Sequence, residues 1–86
     1  METYLQELKR RLHILHDDDD DNLKSLIEIA HAKIKHWCGD FDLTDPVGRD
    51  LVFEQVRFIY HGKTELFYTL FASDLSQYGF TLATKE

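Results

Sequence analysis

The stretch that decides the fold is DNLKSLIEIAHAKIKHWCG, residues Asp21 to Gly39. Leu23, Leu26, Ile27, Ala30, Ile34 and Trp37 fall at i, i+3, i+4, i+7, i+11 and i+14, a single apolar stripe on a helix of 3.6-residue period. Gly39 follows the stripe where a residue in the left-handed conformation would end the helix. A helix with one greasy side needs neighbours, so the question becomes which other segments supply them.

Upstream, Thr3-x-x-Gln6 reads as a capping box, and Leu5, Leu8 and Leu12 follow at i, i+3 and i+7, which predicts a helix of about three turns. Downstream, Asp45 stands as N-cap with Pro46 at the first helical position, and the helix runs to about His61 before Gly62 stops it. Its apolar residues (Val47, Leu51, Val52, Phe53, Val56, Phe58, Ile59, Tyr60) surround most of the helix. Such a helix is either central or shares a face with another chain, and full enclosure is hard in so short a chain, which favours the second option. A fourth helix is expected from about Thr64 to Tyr78, with Leu66, Phe67, Leu70, Phe71, Leu75 and Tyr78 on a broad stripe and Gly79 at its end. Phe80-Thr81-Leu82 alternates like a small strand or docking tail. Short connections make consecutive helices antiparallel, so the expected fold is all-α: a small antiparallel bundle of about four helices with a short C-terminal tail or strand.

The chain has 86 residues, which predicts one domain spanning 1–86, given about 100–200 residues per domain. With 43% hydrophobic and 13% aromatic residues it has globular composition. No apolar run approaches the roughly 18 residues of a membrane span, and Met-Glu-Thr-Tyr does not open a signal peptide. A lone cysteine, Cys38, excludes an internal disulfide framework and suits a reducing cytosol. The formal net charge of −6 is spread over both halves and argues against generic binding to the outside of nucleic acid.

Set against an EF-hand loop, Asp17, Asp19 and Asp21 fill positions 1, 3 and 5 and Glu28 position 12. Asn22 replaces the turn glycine, however, and Leu23 to Glu28 belongs to the helical stripe, so the run is better read as capping carboxylates at a helix's positive end. The histidines lack metal-ligand spacing: His13 and His16 straddle a helix end, His31 and His36 point apart, and one cysteine cannot complete a structural zinc site. Cys38 with His36 has no orienting third group, and Ser25, Ser73 and Ser76 lie in helical patterns without a nucleophile elbow. Lys9, Arg10 and Arg11 read as dipole complements and solvated charges, and no basic recognition helix is present. No catalytic residue, metal or cofactor is expected. The density of aromatic residues from Phe53 to Phe80 remains, more than two helices can bury on one side, and some of these rings should face a partner.

The order of these features resembles a known family. A short amphipathic helix and an acidic run precede L-x-x-L-I-x-x-A-x-x-x-I-x-x-W-x-G (Leu23, Leu26, Ile27, Ala30, Ile34, Trp37, Gly39), and an Asp-Pro-initiated helix with Leu-Val-Phe-Glu-Gln-Val-Arg-Phe-Ile-Tyr (Leu51–Tyr60) follows. Over nearly the whole chain this is similar to the head–tail connector (head-completion) proteins of long-tailed bacteriophages and prophages, especially the small form from phages of Gram-positive hosts. The His-Trp-Tyr-Glu-Asn-Arg-like segment of one branch is not matched, since Arg57-Phe58-Ile59-Tyr60-His61 stands there.

The resemblance implies a helical structural subunit, not an enzyme, that assembles into a homo-oligomeric ring, a dodecamer, beneath the portal protein at the head–tail junction of the virion. It would be made in the host bacterial cytoplasm, extend the DNA channel without sequence-specific binding, and meet the next connector or tail component; no membrane is implied. The subunit contacts are expected on the third and fourth helices and the tail, at Arg57, Tyr60, Phe67, Phe71, Phe80 and Leu82. Two other readings fit the residues: a non-virion helical interaction module, such as a regulatory or antitoxin-like dimer joined through the third helix, and a Ca-binding module using Asp17–Asp21.

Overall fold

The structure is a computed structural model that describes residues 2–84. Four helices succeed one another: α1 (Glu2–Leu12), α2 (Asp20–Cys38), α3 (Pro46–Tyr60) and α4 (Thr64–Ala83), with no strand among the described residues. They form an all-α bundle of 40 × 25 × 16 Å. The stripe of α2 does what its period requires: Leu23, Ile27, Ala30 and Ile34 are fully buried. Trp37, at the stripe's end, stays partly open.

The sharpest boundaries are those with a chemical signal. Asp45 Oδ1 accepts from the Val47 backbone N–H at 3.0 Å, and Pro46 opens α3 as expected. At the other end Gly62 (φ 72°) carries a six-to-one, five-to-two closure, in which Lys63 N–H reaches Phe58 O at 2.8 Å and Gly62 N–H reaches Ile59 O at 3.1 Å. Gly39 (φ 118°) terminates α2.

Four local expectations are corrected. α1 begins at Glu2, so Thr3 lies in its first turn rather than capping it. α2 begins at Asp20, and Asp19 at its N-cap makes no side-chain capping bond. The carboxylates of the acidic run sit at the positive helix end, but Asp17 and Asp20 accept from Lys9 Nζ at 2.6 and 2.8 Å instead of from backbone amides. Lys9 is thus buried between two acids rather than solvated, and Arg11 is likewise engaged, by Asp50 and Glu54 of α3. Finally, Gly79 does not end α4. It lies within the helix against the Cys38 backbone, where a Cβ would make an ordinary contact at 3.4 Å, and Phe80-Thr81-Leu82 falls in the last turns of α4 instead of forming a strand or tail.

The all-round apolar α3 is the central helix. It packs against both α2 and α4, with Leu51, Val52, Phe53 and Val56 buried, while α1 lies over α2 and reaches α3 through Arg11 and a Glu7–Arg49 pair. The enclosure that chain length argued against is achieved by four thin elements sharing one core. Of the elements, α4 leaves the most apolar surface open, with Leu66, Tyr68, Leu70 and Phe80 exposed.

Candidate assembly surface

α4 has twenty residues and only two charges, Glu65 and Asp74. Its inner side anchors it through Phe67, Leu75 and Tyr78, all buried. Tyr78 Oη donates to Asp45 Oδ2 at 2.6 Å, so one carboxylate both caps α3 and ties α4 to it. Burial, and then the carboxylate beside it, push the Tyr78 phenol far above its ordinary pKa, which keeps it a donor.

The outer side presents Leu66, Leu70, Ser73, Gln77 and Phe80, spaced four, three, four and three, which places them along one face of the helix. Leu70 is 62% and Phe80 71% exposed. Beside this stripe Tyr68 is also exposed and meets the half-open Trp37 edge-on at 5.4 Å. A face of leucine, aromatic and small polar residues with few charges has the composition of a protein contact and not of a solvated helix.

The six residues expected at an interface are distributed unevenly. Phe80 is in the open stripe. Phe71 is half-buried and stacks on Phe67 at 4.7 Å, and Phe67 is fully buried beneath Trp37, Phe58 and Phe71, so it supports the surface from below. Leu82 is half-buried, close to where Gly39 turns the chain. Tyr60 is half-buried at the end of α3 with its ring against His61. Arg57 binds Glu54 through Nε and Nη2 at 3.1 and 2.6 Å and lies 5.3 Å over the Phe58 ring. Sequence reasoning missed Leu66, Leu70 and Trp37 as exposed positions, because helical spacing places residues on a stripe without saying how wide a stripe the neighbours cover.

Near the α3–α4 turn the surface dips into a cleft of about 250 Å³ floored by Phe58, Leu66 and Leu70 and rimmed by Arg57, His61 and Lys63. At the far end of the same helix pair lies a second, acidic hollow bordered by Asp45, Asp50 and Asp74. Neither converges on a nucleophile. Cys38, the one thiol, is buried and donates to Leu75 O at 3.2 Å, and burial raises its pKa, the wrong direction for an attacking thiolate. His31 is spent on structure, its Nε2–H donating to Phe41 O at 2.9 Å. Among the described residues no group of three or more His, Cys, Asp or Glu side chains is placed to hold a metal ion, and no helix is long and apolar enough to cross a membrane.

Residues 2–65 match the family model described as phage gp6-like head–tail connector protein. No curated protein and no solved structure matches the chain.

Proposed function

This chain belongs to the phage gp6-like head–tail connector family, and on that premise we propose that it works as a ring-forming adaptor between head and tail. Its role is structural, at the junction of phage head and tail. In this reading copies of the chain form a dodecameric ring on the outer face of the portal, prolong the DNA channel and offer the next connector or tail component a docking surface. The ring is built in the host cytoplasm and performs no catalysis. One domain over residues 1–86 suffices for each subunit.

The observation that carries the reading beyond the family is the open, nearly uncharged stripe of α4 beside the half-buried Phe71, Tyr60 and Leu82. A head-to-tail contact through the α3–α4 side generates a ring when its rotation closes. Of the six expected contact residues Phe80 is the exposed one, Arg57, Tyr60, Phe71 and Leu82 are half-buried, and Phe67 contributes by holding the aromatic floor in place. Electron microscopy of the purified protein mixed with portal-bearing, DNA-filled heads tests the proposal. A ring of new density on the portal's outer face is the expected result; a dimer indifferent to heads sinks it.

A further inference from the structure

Among the described residues Leu15 is the most exposed large hydrophobic side chain, at 97%, and it does not hang from a slack loop. Ile14 N–H closes α1 onto Lys9 O at 2.9 Å, and the Ile14 side chain packs against the core. Lys9 fixes Asp17 and Asp20 on the other side of the turn, and His16 Nδ1 accepts from the Asp18 backbone N–H at 3.2 Å. The loop therefore holds Leu15 outward by construction. After His16 come Asp17 and Asp18, whose side chains are largely in solvent.

The cleft at the α3–α4 turn is the complement of that loop. Its floor of Phe58, Leu66 and Leu70 suits a branched aliphatic side chain, and Arg57, His61 and Lys63 stand around it. Glu54 already holds Arg57 and Lys9 already holds Asp17, which leaves Lys63 on the rim and Asp18 beside the knob as the charges that match in sign, while knob and cleft match in shape. Knob and cleft come from different elements, and the knob does not occupy its own chain's cleft, since Leu15 is open to solvent.

We propose that the Leu15 loop of one copy seats in the Phe58–Leu66–Leu70 cleft of a second copy, with Asp18 facing Lys63. A contact between two different patches is heterologous, so each copy still has a free knob and a free cleft for the next. The inference rests on the connector reading only in that copies meet edge to edge, and it names the surfaces by which they do so.

Disulfide trapping tests it. A chain carrying both Leu15→Cys and Leu66→Cys is concentrated and oxidised with copper–phenanthroline, then run on a non-reducing gel. A ladder of covalent dimers, trimers and higher species is expected, while a chain with Ser25→Cys and Leu66→Cys, whose first site lies on the exposed side of α2, stays at background. Lys63→Glu should lower the ladder about tenfold and Asp18→Lys added to it should restore it, since reversing both charges rebuilds the pair. A ladder no stronger than the Ser25 control overturns the proposal. So does a Leu66→Cys link formed solely to another component once heads are added. Heads decorated with a ring but giving no ladder would leave the connector reading standing and remove this contact; a ladder with undecorated heads would do the reverse.

Discussion

His13 holds φ at 60° in the position that closes α1, where its N–H reaches Arg10 O and the following Ile14 N–H reaches Lys9 O. That left-handed conformation presses Cβ against the backbone for any residue but glycine, at about 1–2 kcal/mol. His13→Gly relieves the strain and loses part of the gain to a freer unfolded chain, so unfolding free energy should rise by about 0.5–1 kcal/mol in urea titration with an unchanged slope. Gly48 is the opposite case. A Cβ there would lie 2.4 Å from the Phe41 ring and 2.6 Å from Tyr78 Oη, and Phe41 is held between His31 and Tyr78. Gly48→Ala gains about 1 kcal/mol of helix propensity and loses about 1–3 kcal/mol to overpacking. The expected result is a lower melting temperature, accompanied by weakening of the Tyr78–Asp45 hydrogen bond. Both positions look ordinary in the sequence, because a lone residue carries no sign of its dihedral angle or of what presses on it.

At the scale of elements, α1 is attached differently from the rest. Leu5 and Leu8 enter the core, but ion pairs surround them: Glu2 with Lys24, Glu7 with Arg49, Lys9 with Asp17 and Asp20, and Arg11 with Asp50 and Glu54. Apart from the buried Lys9 ammonium these pairs lie near the surface, where each is worth about 0–1 kcal/mol and fades as the screening length drops to about 3 Å at 1 M salt. Amide exchange in α1 should therefore accelerate with salt well before exchange in α2 or α3 does. The Lys9 ammonium beside Asp17, chiefly through their hydrogen bond, holds that carboxyl below its ordinary value. A depressed folded pKa stabilises fully above the ordinary carboxylate range and is lost as pH falls through the folded value. Lys9→Met should accordingly lower the urea midpoint at neutral pH and flatten its decline below about pH 4. None of this clamp was legible, since Arg11 and its partners lie 39 and 43 residues apart. What was legible had a local cause: the stripe of α2, the Asp45–Pro46 start of α3 and its Gly62 stop. α4 shows the limit of that logic, since Gly79 reads as a terminator and yet the helix continues past it to Ala83.

For the whole molecule, the accessible surface is 5418 Å², against roughly 5,300 Å² for a folded monomer of this mass. The chain thus closes its own core, and the apolar α4 stripe reflects what lies on the surface rather than an excess of surface. In the proposed assembly the subunit is folded before it docks, and the part of its contact made by the uncharged α4 face depends little on salt. For the proposed channel, charge decides how the surface meets DNA. Sixteen acidic against ten basic residues leave the chain at −6, and three of the four basic residues near α1 and α2's start (Lys9, Arg11 and Lys24) are engaged by carboxylates. Few cations remain to displace counterions from phosphate, and counterion release is what sequence-independent affinity requires. A surface that repels the backbone suits a channel that DNA must traverse without sticking. The purified protein should leave duplex DNA unretarded in a gel even at about 50 mM salt, where non-specific binding is strongest. Retardation that fades with added salt would mean that a cationic face is available to the DNA, and the non-adhering channel would have to be abandoned.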